Sequence, residues 1–222
     1  MKVVEIFNSI EGEGIRAGLP VTFIRLYGCN LRCSYCDTKY SYNEANEEEG
    51  IYPYTVMTVD EIIETVLRLG CPNVTITGGE PLMHCGIDKL IDALLVLGCE
   101  INIETNGTYP VLGKYRDCEN IIFTMDYKCP GSGMNDKMER YSFDTLRPND
   151  VLKFVVSDTV DLEKMVEVLD ILETRPTVFV SPVFEKIDLK TIAAFLLEHR
   201  LYSVRMQVQL HKIIWDPEMR GV

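Results

Sequence analysis

Basic residues and histidine are scarce in this chain. Lysine and arginine number 22 against 34 aspartates and glutamates, for a formal net charge of -12, and the only histidines are His84, His199 and His211. Such an anionic excess repels nucleic-acid phosphates and anionic lipid, so neither nucleic acid nor a membrane is expected as a partner. No apolar run approaches the roughly 18 residues of a membrane span, and the opening MKVVEIFNSIEGEG turns polar too early for a signal peptide. A cytoplasmic protein is the expectation. Internal repeats and low-complexity linkers are also missing, and 222 residues at 46% hydrophobic composition suit one domain, 1–222, with a sizeable core. The acidic run Glu44 to Glu49 reads as a solvated loop.

Short strand-like apolar runs alternate with longer helical ones, the pattern of parallel strands joined by crossover helices. Strands are expected at Thr22 to Leu26, Val74 to Ile76, Ile101 to Glu104, Ile121 to Thr124, Leu152 to Val156 and Val178 to Ser181, with a last one at Val204 to Val208. TVDEIIETVLRLG opens with a capping box from Thr58 to Glu61, puts Ile62, Ile63, Val66 and Leu67 on one face, and stops at Gly70. Further helices are expected near Asp88 to Leu97, Thr159 to Glu173 and Asp188 to Glu198, and a long loop from Asp126 to Asp150. About six βα units result, too few for a closed eight-unit barrel, which typically takes about 250 residues. The expected fold is therefore α/β, a partial, open TIM-like barrel with its site at the carboxyl ends of the strands.

Eight cysteines in a reducing compartment are poor candidates for disulfides. Five of them, Cys71, Cys85, Cys99, Cys118 and Cys129, contain no CxxC pair; Cys71 and Cys99, each after LG and before an apolar run, read as small buried hydrophobes. The other three, Cys29, Cys33 and Cys36, fall in GCNLRCSYCDTKYSY just after the first parallel strand. Three close thiolates can hold three corners of an iron-sulfur cube and leave the fourth iron open. Structural zinc would want four closed ligands, and the chain offers only three dispersed histidines and no partner CxxC. Downstream, TITGGEPLM is a β-rich run ending in Gly78, Gly79 and Glu80; glycines let backbone approach a ligand and the carboxylate can pair with an ammonium. The strand from Ile101 runs into ETNGT, whose Glu104 and Asn106 stand at a strand end, although Asn106-Gly107 also reads as an ordinary turn.

CNLRCSYC, with Tyr35 as its aromatic residue, resembles the CxxxCxφC motif of the radical S-adenosylmethionine superfamily, and TGGEP resembles that superfamily's GGE motif. The resemblance implies a 4Fe-4S cluster whose open iron binds the amino and carboxyl groups of S-adenosylmethionine, and cleavage of its sulfonium to a 5'-deoxyadenosyl radical. Gly78, Gly79 and Glu80 would then bind the methionyl amine, and Glu104 and Asn106 the ribose or carboxylate. The opening EIFNSIEGEGIRAGLPVTFIRLYGCNLRCSYCDTKYS, with TGGEP, ETNGT, DYKCPGSGM and the final QLHKIIWDPEMRGV, is similar along the whole chain to the 7-carboxy-7-deazaguanine synthases. What this narrower resemblance implies is ring contraction of 6-carboxy-5,6,7,8-tetrahydropterin to 7-carboxy-7-deazaguanine with loss of ammonia, in queuosine and deazapurine biosynthesis, with Mg2+ required. Hydrogen abstraction at C6 of the pterin would start the contraction.

Carried over residue by residue, substrate contacts fall on Ile10, Glu11, Gly12, Glu13, Arg25, Thr77 and His211, with the carboxylate of Val222 reaching back. Arg25 makes physical sense as a carboxylate clamp. The Mg2+ ligand falls on the Thr38 hydroxyl, in keeping with a hydrated ion held by few protein atoms. Tyr35, Asp37, Asp126, Lys128 and Ser132 are nominated for the cofactor. The family also implies an external electron donor of the flavodoxin or ferredoxin type and a homodimer. Many members carry glutamine where this chain has Glu11, an exchange that loses two donors and adds an anion unless that anion faces a pterin N-H. Two other readings use the same cysteines. An activase of a glycyl radical enzyme would need a protein-docking groove, and a non-catalytic iron-sulfur redox module would leave the GGE and ETNG elements idle.

Overall fold

Strand residues in this chain alternate between two environments, and the alternation decides where the core ends and the site begins. The computed structural model describes residues 1–42, 53–217 and 219–222; the acidic run Glu44 to Glu49 lies outside them. In chain order the elements are β1 (Lys2–Ile10), β2 (Pro20–Leu26), β3 (Thr55–Val56), α1 (Val59–Leu69), β4 (Asn73–Gly78), α2 (Ile87–Val96), β5 (Glu100–Thr105) and β6 (Ile121–Tyr127). There follow the single-turn α3 (Arg140–Phe143), β7 (Val151–Val156), α4 (Thr159–Ile171), β8 (Thr177–Pro182), α5 (Leu189–Glu198), β9 (Val204–Met206) and the short α6 (His211–Ile214).

The strands form one sheet in the order β3-β1-β2-β4-β5-β6-β7-β8-β9. From β2 to β9 every pairing is parallel, while β1 pairs antiparallel with both β2 and β3. This is the open, partial TIM-like barrel that the periodicity predicts. Successive side chains of a strand point to opposite faces. Ile24, Leu26, Ile76, Ile101, Ile103, Phe123, Phe154 and Val156 are buried in the core with Ile62, Leu90, Ile91, Leu94, Leu162, Met165 and Ile192 of the helices. Their strand neighbours Arg25, Thr77, Glu104, Asp126 and Lys153 line a cavity instead. Among the described residues no helix is long and apolar enough to cross a membrane.

Several expectations need correction. β1 and β3 are absent from the sequence reading because β1 buries only Val3 fully and its other residues are mostly half-buried, which leaves no clean period of two. β6 continues to Tyr127, so Asp126 stands on a strand and not in a loop. The 126–150 stretch also carries short 3-10 turns and α3. It is pinned by Arg147, whose guanidinium donates to the carbonyls of Tyr115, Cys118 and Ile121 and to the buried Asp150 carboxylate. The β5–β6 connection has no α-helix, only a 3-10 turn at Gly113–Tyr115. β9 stops at Met206. Of the two cysteines expected inside, Cys99 is buried, but Cys71 is half-buried with its thiol 3.3 Å from the Pro20 carbonyl.

The capping box of α1 is present in both directions, with Thr58 accepting from the Glu61 amide and Glu61 from the Thr58 amide, and the helix ends at Gly70 in the left-handed region. Its buried stripe is Ile62 and Val66, whereas Leu67 is 59% exposed. Ile62→Ala is expected to destabilise the fold by about 2–5 kcal/mol. Leu67→Ala is expected to cost under about 0.5 kcal/mol. Urea midpoints that fell equally for the two variants would show that the helix packs on a different face.

Candidate active site

The three cysteines lie on the loop after β2, and backbone contacts fix that loop against the next one. Gly79 donates to the Leu26 carbonyl at 3.0 Å, Glu80 to the Gly28 carbonyl at 2.7 Å, and Gly28 to the Ser41 carbonyl at 2.7 Å. A Cβ on Gly78 would fall 2.1 Å from the Leu26 oxygen, and one on Gly79 would fall 1.8 Å from the Gly28 oxygen. The glycines are therefore required by the approach of one loop to the other, a constraint that exists before any ligand arrives.

Cys29, Cys33 and Cys36 all line one cavity of about 330 Å³ at the carboxyl ends of the strands. Burial pushes the thiols of Cys29 and Cys33 above their usual range; at Cys29, donation from the Leu31 amide and the Asn106 side chain pulls the other way. The Asn106 amide lies 3.6 Å from the Cys29 sulfur and also donates to Asn30. Among the described residues no three His, Cys, Asp or Glu side chains converge on a point that would grip a single ion. Three soft thiols lining one cavity are the ligand type that an iron-sulfur cluster takes.

The same cavity is lined by Ile10, Glu11, Gly12, Glu13, Arg25 and Thr77 on the substrate side of the sequence reading, and by Tyr35, Asp37, Thr38, Gly78, Gly79, Glu104, Asn106, Asp126 and Lys128 on the other. His211 and Val222 close it from the C-terminal end. His211 begins α6 and does not lie in a strand. Its ring covers Gly12, where an added Cβ would fall 2.3 Å from Nδ1, and burial lowers its pKa. The Thr38 hydroxyl lies 3.7 Å from the Cys36 sulfur. Tyr35 donates its hydroxyl to the Val155 carbonyl at 3.3 Å.

Two nominated residues are not brought to the cavity. Glu80 is fully buried behind the wall, with its carboxylate accepting from the amides of Leu82 and Asn106 and from the Thr105 hydroxyl; burial pushes its pKa up to about 6 against these donors. Its side chain braces the GGE turn against the ETNG turn. Ser132 is likewise buried, its hydroxyl donating to the Cys129 carbonyl, while its own carbonyl accepts from the Ser34 amide and so supports the cysteine loop.

Charge is concentrated on the polar wall. Asp126 accepts from Lys128 at 2.8 Å through Oδ2 and faces Lys153 at 3.1 Å through Oδ1, which is buried with no well-directed donor. Such an acceptor can take an N-H or O-H from a bound molecule. The two ammonium groups hold the Asp126 carboxyl below its ordinary range in spite of burial. The Arg25 Nε donates to Glu5 at 2.7 Å, and the Tyr40 hydroxyl shares that oxygen. Glu11 is turned into the sheet, 2% exposed, accepting from the Thr75 hydroxyl at 2.6 Å and the Gly12 amide at 3.1 Å. Burial first, and the neighbouring Glu104 next, push its pKa up to about 7. Near neutrality Glu11 thus carries a proton part of the time, and the protonated acid offers an O-H donor where an amide would offer N-H.

Lys153, Tyr40 and Arg220 also line the cavity and escaped the sequence reading. The available signal for Lys153 is a single cation inside the apolar strand VLKFVV. The Arg220 guanidinium stacks 4.0 Å from the centre of the Tyr40 ring, and Lys212 pairs with Asp37 at 3.3 Å, so the tail crosses to the cysteine loop.

The model of the Radical SAM superfamily matches residues 23–173 of the chain. A 7-carboxy-7-deazaguanine synthase of Clostridium acetobutylicum is 44% identical over 100% of this chain and 99% of its own. One from Methanospirillum hungatei is 39% identical over 98% of this chain and 86% of its own. The crystal structure of QueE from Escherichia coli superposes with a TM-score of 0.71 at 24% identity, covering 94% of this chain and 93% of that one, a likeness of fold.

Because Glu11 ionises near its ordinary 4.5 when unfolded and near 7 when folded, the folded state binds the extra proton between those values. Its contribution to stability is therefore present at low pH and lost as pH rises toward 8. The melting temperature of the wild type is expected to fall relative to Glu11→Gln between pH 5 and 8. Parallel curves would show that Glu11 ionises normally in the folded protein.

Proposed function

Since the chain belongs to the radical SAM superfamily and, within it, to the 7-carboxy-7-deazaguanine synthases, we propose that it contracts 6-carboxy-5,6,7,8-tetrahydropterin to 7-carboxy-7-deazaguanine and ammonia, a lyase reaction of queuosine and deazapurine biosynthesis. The whole chain, 1–222, acts as one radical SAM domain in this reading. The observation that supports it most is the meeting, in a single cavity, of the three-cysteine loop with Arg25, Glu13, Thr38 and His211.

Cys29, Cys33 and Cys36 would hold a 4Fe-4S cluster, and Glu104 and Asp126 offer carboxylate oxygens to S-adenosylmethionine beside it. When bound, the pair supplies one-electron cleavage of the sulfonium and a primary carbon radical able to abstract hydrogen. The chain's residues supply recognition and orientation. Arg25, held at Nε by Glu5, presents a fixed cation to the substrate carboxylate. Glu13 faces the polar edge of the pterin, with Thr77 and the backbone of Ile10 and Gly12 completing that side and the buried Glu11 supporting it from within the sheet. Thr38 offers a hydroxyl to Mg2+, which tolerates few protein ligands. Orientation of this kind can supply about 7–11 kcal/mol of a barrier, and the tail around His211 and Val222 excludes water. An external electron donor of flavodoxin or ferredoxin type, a homodimer and a cytoplasmic location belong to the same proposal.

The decisive experiment is anaerobic: reconstituted protein with reductant, Mg2+, S-adenosylmethionine and 6-carboxytetrahydropterin is followed by mass spectrometry. 7-Carboxy-7-deazaguanine is the expected product, and Cys33→Ala should give neither product nor 5'-deoxyadenosine. Cofactor cleavage by the wild type without that product would overturn the substrate assignment and keep the radical chemistry. Thr38→Ala should retain the cluster but shift the Mg2+ titration of turnover at least fivefold; an unchanged titration would remove Thr38 from the metal shell.

A further inference from the structure

Lys153 stands on β7 beside Asp126 in the strand register, and its ammonium is enclosed by the cavity wall, with only 7% of the side chain exposed. It donates to Glu13 Oε2 at 2.9 Å and faces Asp126 Oδ1 at 3.1 Å. Glu13 belongs to the loop after β1, on the side nominated for substrate; Asp126 belongs to the side nominated for the cofactor. The two carboxylates are not equally served. Asp126 keeps a second ammonium, Lys128 at 2.8 Å, whereas the other contact of Glu13 is the Ser181 hydroxyl at 3.4 Å.

We propose that Lys153 is a positioning residue for the ring contraction: it holds the Glu13 carboxylate aimed into the cavity, and so governs binding of the pterin rather than of S-adenosylmethionine. This deepens the substrate reading above and rests on it. The physical reason is the asymmetry of the charges. A buried carboxylate stripped of its cation loses the partner that fixes its direction and turns away. Without Lys153 that fate falls on Glu13, because Asp126 retains Lys128. The surrounding carboxylates, Asp126 first, keep the Lys153 ammonium charged despite its burial. Further along the same loop, the Gly14 amide donates to Gln207 at 2.7 Å, and Gln207 donates to Ser181 at 3.0 Å, so the backbone remains anchored when the ammonium is removed.

The test uses the full-length, cluster-loaded protein and the variants Lys153→Met, Lys153→Arg, Glu13→Gln and the double variant Glu13→Gln/Lys153→Met. Lys153→Met is expected to raise the KM for 6-carboxytetrahydropterin at least tenfold while the Kd for S-adenosylmethionine stays within about threefold. Lys153→Arg should recover most of the pterin loss, and the double variant should be no worse than Glu13→Gln alone. An unchanged KM in Lys153→Met, equal losses of both ligands, or additive losses in the double variant would each overturn the proposal. Should the wild type neither bind nor convert the pterin, the substrate reading fails, and the same cycle on melting temperatures of the ligand-free protein decides the pairing. Additive shifts there would overturn the coupling of Lys153 to Glu13; non-additive shifts would retain it.

Discussion

An open sheet has no ladder of hydrogen bonds to draw its two ends together, and here a buried ion pair between Glu13 and Lys153 does part of that work. Glu13 follows β1, next to one edge of the sheet, and Lys153 stands on β7 toward the other. Ser181 on β8 and Gln207 after β9 extend the tie. Breaking a buried pair by removing one partner typically costs about 3–5 kcal/mol, since the remaining charge is left uncompensated. Near Glu13 in the chain, Glu11 has its pKa raised by burial first and by Glu104 next, with Glu13 adding to the shift and Lys153 opposing it.

Much of this was legible in the sequence. The parallel strands and the helices α1, α2, α4 and α5 announced themselves through periodicity, and the capping box of α1 through its Thr58-Glu61 spacing. The cysteine loop was legible because soft ligands at such spacings have few other uses. Less visible was anything that depends on which way a polar side chain turns once its strand is placed. Glu80 and Ser132 sit in motifs that point to a ligand, yet both side chains are spent on neighbouring backbone. β1 was illegible because, outside Val3, its side chains are only partly covered, so burial imprinted no alternation on it.

Lys153 went unnoticed for a related reason. A lone cation in an apolar strand has no partner in its own sequence neighbourhood, and its partners come from β6 and from a loop far back in the chain. The glycines of TGGE show the converse: their residue type was readable, but the neighbour that demands it was not. Their Cα atoms rest on the backbone of Leu26 and Gly28, so the position of the cysteine loop and the position of the GGE turn are one degree of freedom.

Gly12 and His211 occupy a single volume at the mouth of the cavity. The imidazole sits where a side chain at position 12 would begin, and the Leu210 amide donates to the Gly12 carbonyl at 3.1 Å, which fixes the spacing of the two segments. A methyl group gained at 12 must be matched by bulk surrendered at 211. Related chains should therefore exchange these two residues together or keep both, however far apart they stand in sequence.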